Sequence, residues 1–121
     1  MTRSAARLPS ALLACMLAAS VAAGHAVLQR AEPRVESKLR RSPEEVKLYF
    51  SEQIEPAYSS IRVLDDRGVK VDRRDSHVDR ANAALLRATL PPLPRGTYTV
   101  RWRVLSIDAD ATEGGFTFRI E

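Results

Sequence analysis

The chain of 121 residues holds one cysteine, two methionines and one tryptophan. Cys15, Met1 and Met16 all fall within residues 1–24, so the chain from His25 onward contains no sulfur. That absence excludes a disulfide-stapled scaffold, a Cys-ligated zinc, thiol catalysis and a Cys-bound iron–sulfur cluster. It equally excludes a methionine-rich site for a soft ion such as Cu(I). Residues 1–24 also lack any acid, and their only charges are Arg3 and Arg7. A dominant charge is missing as well: 19 Lys+Arg face 15 Asp+Glu, and the net charge of +4 falls by two when those arginines are set aside. Scattered charges of this size give no reason to expect a nucleic-acid partner. Residues 25–121 are enough for one modest core and not for two.

What the chain does have begins with an export signal. Arg3 and Arg7 precede an apolar run from Leu8 that ends in Val21-Ala22-Ala23-Gly24. A positive start, a short apolar stretch and small residues at its end make a secretory signal peptide. The run is short for a membrane span of about 20 residues and rich in Ala and Ser, which argues against an anchor. Leu12-Leu13-Ala14-Cys15 loosely imitates a lipoprotein signal, but that cysteine lies inside the apolar run. We expect cleavage at 1–24, leaving residues 25–121 as one exported domain. A cut after Gly24 makes His25 the first residue; a cut after Ala23 leaves Gly-His.

The remainder reads as short strands punctuated by Pro, Gly and Asp. Val46, Leu48 and Phe50 alternate with Lys47 and Tyr49 after Ser42-Pro43. Ile61-Arg62-Val63 and Val69-Lys70-Val71 flank Asp65-Asp66-Arg67-Gly68, which predicts a hairpin. Residues 72–82 are polar and predict a loop, and 84–90 predict a strand ahead of Pro91-Pro92. Tyr98, Val100, Trp102 and Val104 fall at period two, as do Phe116, Phe118 and Ile120, the signature of half-buried strands. No amphipathic helix of ten residues is visible beyond residue 30. Several short strands at regular spacing predict an all-β sandwich. Leu93-Pro94-Arg95-Gly96-Thr97-Tyr98 is the setting of a tyrosine corner, a Tyr entering a long strand of an immunoglobulin-like fold.

A search for catalysis returns little. There is no thiol nucleophile, no Gly-x-Ser-x-Gly elbow and no phosphate-cradling glycine loop. The two histidines are His25 and His77, and the expectation is that the chain is not an enzyme. A terminal His25 would offer two nitrogens, its free amine and ring Nδ1, to one metal ion. Such donors suit Cu(II). The alternative is an ordinary residue at a frayed terminus, and composition alone favours it. The second candidate is Ser106-Ile107-Asp108-Ala109-Asp110-Ala111-Thr112-Glu113-Gly114-Gly115. It partly imitates a calcium loop, but Glu113 stands where the EF-hand needs Gly and Arg119 where it needs Glu. On spacing alone it reads as a solvated acidic turn.

Taken together, these blocks resemble the CopC family of periplasmic copper-binding proteins. The likeness rests on His25-Ala26-Val27-Leu28 with Glu32-Pro33, on Pro43 to Glu52, on Gly96 to Asp108, and on Gly114-x-Phe116-x-Phe118. It implies a Greek-key β-sandwich of immunoglobulin or cupredoxin type with about seven strands. It implies a periplasmic Cu(II)-binding carrier, acting in copper resistance or homeostasis. It implies ligation by His25 through amine and ring, and by Asp108, with Glu52 matching an acidic position near the metal in some members. The family's second His falls on Asp110, and its flanking Gly and Pro are Ala109 and Ala111. The methionine loop that holds Cu(I) in some members is absent. The implied partners are the copper ion and a CopD-like inner-membrane transporter, with the chain as a monomer. The competing expectation is a CopC-like sandwich that has lost effective copper binding and serves as an interaction module docking on a membrane partner. A copper oxygenase needs a second His, and Asp110 stands in its place.

Overall fold

The structure, a computed structural model, describes residues 25–121. The expected signal segment and its cleavage site lie outside these residues. Eight strands form: β1 (Leu28–Glu32), β2 (Ser37–Leu39), β3 (Glu45–Phe50), β4 (Ser60–Leu64), β5 (His77–Val78), β6 (Leu85–Thr89), β7 (Gly96–Leu105) and β8 (Ala111–Ile120). A single 3-10 turn, Pro56–Tyr58, precedes β4. Among the described residues no helix is long and apolar enough to cross a membrane.

The strands make two sheets in the orders β1-β3-β6-β5 and β2-β8-β7-β4. Neighbours are antiparallel except β2, which runs parallel to β8 with Leu39 beside Ile120. Alternation decides what each sheet buries. In β3, Val46, Leu48 and Phe50 point inward. In β7, Tyr98, Val100 and Val104 are buried, while Arg101 and Arg103 face water. Phe116, Phe118 and Ile120 of β8 complete a core shared with Ile61, Val63, Leu86 and Ala88. Tyr98 stacks on Phe118 with ring centroids 5.5 Å apart.

The turns behave as their residues dictate. Gly68 takes a φ of 80°, a left-handed conformation that costs Gly little. Across that turn the Asp65 N–H donates to the Val69 carbonyl and the Val71 N–H to the Val63 carbonyl, so the turn closes, but the expected return strand 69–71 is reduced to one bridge between Leu64 and Lys70. Asp72 is buried, and its carboxylate accepts the N–H groups of Val63 and Arg74, each at 2.8 Å. The Tyr98 hydroxyl donates to the Pro94 carbonyl at 2.6 Å, which completes the tyrosine corner.

The expected count of about seven strands becomes eight. The segment 72–82, read as loop, contains β5, which pairs His77 with Arg87 and Val78 with Leu86. Strands of two and three residues are too short to show a period of two, so β5 and β2 exist through pairing alone.

Candidate metal site

Three backbone segments converge at one end of the sandwich. The first is 25–27, which enters β1. The Val27 N–H donates to Ser51 Oγ at 2.8 Å, and the Ser51 hydroxyl donates to the His25 carbonyl at 3.4 Å. The Ser51 N–H donates in turn to the Val27 carbonyl at 2.8 Å. The Ala26 carbonyl accepts from Thr112 Oγ1 at 3.2 Å, and Ala26 is buried. His25 is therefore held at its backbone between the end of β3 and the start of β8, with an exposed side chain.

The second segment follows β3 and contains Glu52. The third is the β7–β8 turn, residues 106–110, and it is stitched to the second. The Ile107 N–H donates to the Gln53 carbonyl at 3.1 Å, the Glu55 N–H to the Leu105 carbonyl at 2.8 Å, and Ile54 bridges Ser106. Within the turn, the buried Ser106 organises the chain. Its carbonyl accepts the Ala109 N–H, its N–H donates to the Asp110 carbonyl, and its Oγ accepts the Asp110 N–H at 3.2 Å. Ala109 closes the turn with a φ of 69°. Asp108 is exposed at the tip and Asp110 is half-buried.

The structure thus gathers the segments that carry His25, Glu52, Asp108 and Asp110. It does not gather their side chains: among the described residues, no three His, Cys, Asp or Glu side chains stand together as a metal cluster. His77 is elsewhere. It lies in β5, at the edge of its sheet opposite β1, and its Nδ1 sits 2.8 Å from the Asp75 carbonyl.

Trp102 backs this end of the molecule. Its ring packs edge-on against Phe50 at 6.1 Å and is tilted against Phe116 at 6.2 Å. A Cβ on Gly114 would stand 2.3 Å from the Trp102 ring, so the glycine makes room for the indole. The roles of Ser51, Ser106 and Thr112 as backbone ties were not visible in the sequence. Only Ser51 adjoins a candidate ligand in sequence, Glu52, and no local signal marks Ser106 or Thr112.

A four-on-four, mostly antiparallel sandwich with a pinned N-terminal segment at its acidic end defines a class of small β-sandwich domains. Within that class the chain belongs to the CopC family: the CopC domain matches residues 28–121. His25 lies just ahead of the matched span. The chain is similar to the protein titled CopC from Methylosinus trichosporium OB3b, with a TM-score of 0.75, 36% identity and coverage of 80% of this chain and 94% of that one. It is 27% identical to Protein YobA of Escherichia coli K12 over 124 residues, covering 99% of this chain and 98% of YobA. It is also 27% identical to Copper transport protein CutJ of Bacillus subtilis over 97 residues, covering 79% of this chain. It spans only 18% of the length of CutJ.

Proposed function

We propose that residues 25–121 act, after removal of residues 1–24, as a periplasmic carrier of Cu(II) rather than as an enzyme. Copper is the cargo. His25 supplies two nitrogens, its freed amine and its ring, and Asp108, Asp110 and Glu52 supply oxygens. The observation that carries this reading is the tether of residues 25–27. Ser51 and Thr112 hold the backbone beside His25 against the two segments that bear the carboxylates. An ordinary frayed terminus has no such ties. Family membership and relatives named for copper transport support the same cargo.

The donor set fits Cu(II) and not Cu(I). Amine, imidazole and carboxylate suit tetragonal Cu(II), and the chain from His25 onward has no thiol or thioether. Asp110 in place of an imidazole puts a hard oxygen and a negative charge where a nitrogen would bind. The site is therefore weaker than one with two histidines and discriminates less against other divalent ions. The carrier works as a monomer and delivers copper to a CopD-like membrane partner.

A second reading has its own observation. With no cluster of three donor side chains among the described residues, the domain serves as a docking module without copper. A Cu(II) titration against a competing chelator separates the two, using protein whose mass shows that it begins at His25. The carrier binds one equivalent more tightly than a short peptide beginning with His. Binding no tighter than the peptide leaves the docking module.

A further inference from the structure

We propose that the outer face of the sheet holding β4, β7 and β8 carries a binding site for an oxoanion of the phosphate class, built on Arg62, Arg101 and Arg103. Alternation turns Ser60 and Arg62 of β4 and Arg101 and Arg103 of β7 to solvent. The register sets Ser60 opposite Arg103 and Arg62 opposite Arg101. Directly opposed residues have Cβ atoms only about 5 Å apart, and like charges so placed destabilise a sheet.

The second sheet handles the same problem differently. Arg87 of β6 is met by Glu45 at 2.6 Å and by Asp79 at 2.7 Å. On the β4–β7–β8 face Arg103 is met by Glu113 at 3.2 Å and Arg119 by Glu121 at 3.7 Å. The guanidinium groups of Arg62 and Arg101 make no hydrogen bond or ion pair among the described residues. Two facing cations thus have no ion-pair partner of their own on an exposed sheet, with Glu113 in the same groove and Glu36 in a neighbouring one beside Arg101.

The surface between them is concave. Ser60, Arg62, Arg101, Arg103, Glu113 and Gly115 line one groove. Gly115 lies directly opposite Arg101 on β8. A Cβ there would stand 3.0 Å from the Val100 carbonyl oxygen and 3.5 Å from Arg101 Cγ. The glycine keeps the groove open beside the arginine stem.

The donors choose the ligand. A guanidinium presents N–H groups in a planar fork that matches carboxylate and phosphate oxygens. A carboxylate has two oxygens and is satisfied by one such fork. Three forks and the Ser60 hydroxyl match the larger number of oxygens on a tetrahedral oxoanion, and its double charge offsets the Arg62–Arg101 repulsion. Glu113 neutralises Arg103 in part and leaves the other two charges free. None of the three arginines is a proposed copper ligand, so the site stands apart from the copper reading.

The test uses inorganic phosphate and, separately, vesicles of phosphatidylglycerol in phosphatidylcholine, each against chloride at equal ionic strength, because unspecific screening depends on ionic strength alone. Wild-type protein should bind phosphate saturably and melt at a higher temperature in its presence. R62Q/R101Q should weaken that binding by about tenfold or more and, in chloride, should melt no lower than wild type. R119Q, outside the groove, should bind as wild type does. Arginine-dependent binding to vesicles without an effect of free phosphate assigns the oxoanion to a lipid headgroup. No binding in either arm, or binding unchanged in R62Q/R101Q, overturns the proposal.

Discussion

Ala109 holds a φ of 69° at the tip of the turn that carries Asp108 and Asp110. For an L-residue with a Cβ the left-handed conformation costs about 1 kcal/mol, and glycine escapes that cost. Ala109→Gly should therefore raise unfolding stability by about 1 kcal/mol, read from the denaturant midpoint. An unchanged or lowered midpoint would mean that the turn relaxes around alanine. Next to it, Asp110 sits half-buried with its N–H on Ser106 Oγ. Asp110→His returns an imidazole to the position where the family resemblance expects one. It should tighten Cu(II) binding by about tenfold in chelator competition. An unchanged affinity would show that side chain 110 does not face the ion.

At the scale of elements, β7 does two jobs: its inner residues fill the core and its first turn anchors the fold. Tyr98 is buried, and its hydroxyl donates to the Pro94 carbonyl. Burial raises the Tyr98 pKa above the ordinary tyrosine value, and the charges of Asp65 and Asp66 push it the same way. The neutral phenol is thus favoured in the folded state. Its contribution is complete below the unfolded-state value of about 10 and is lost as pH rises through the folded value. Tyr98→Phe should cost about 1 kcal/mol at neutral pH. The gap to wild type should narrow above about pH 10, measured by urea unfolding across pH. A gap that stays constant would assign the cost to packing instead.

The elements also show what the sequence made legible. The strands β3 and β7 carry a full period-two pattern and were readable, as were the second half of β8, from Phe116 to Ile120, and the turn at Gly68. The first half of β8, from Ala111 to Gly115, has no such pattern and read as part of an acidic turn, and Val69-Lys70-Val71 makes a single bridge in place of the expected strand. Strands β2 and β5 are too short to carry a pattern, and their existence depends on the neighbours they meet. The candidate ligands His25, Asp108, Asp110 and Glu52 were named from residue type and family resemblance, and the fold brings their backbone segments, not their side chains, together. The hydroxyls that tie those segments were not readable. Ser51 and Thr112 act on residues far away in sequence, and such a bond depends on the folded register and not on local chemistry.

For the whole molecule, the sandwich is a frame that brings three distant segments to one end. Chain ends fray unless something ties them down, and here the ties are the Ser51 and Thr112 hydroxyls beside the 25–27 segment. We propose that this anchored end binds Cu(II) through the amine and ring of His25. The most direct measurement is Cu(II) affinity, by chelator competition, of two proteins that differ by one residue placed ahead of His25. The extra residue removes the free amine of His25 and should leave the sandwich intact, which circular dichroism checks. Affinity should fall by about tenfold or more while one-to-one stoichiometry is seen only for protein beginning at His25. Equal affinity for the two proteins would contradict the account.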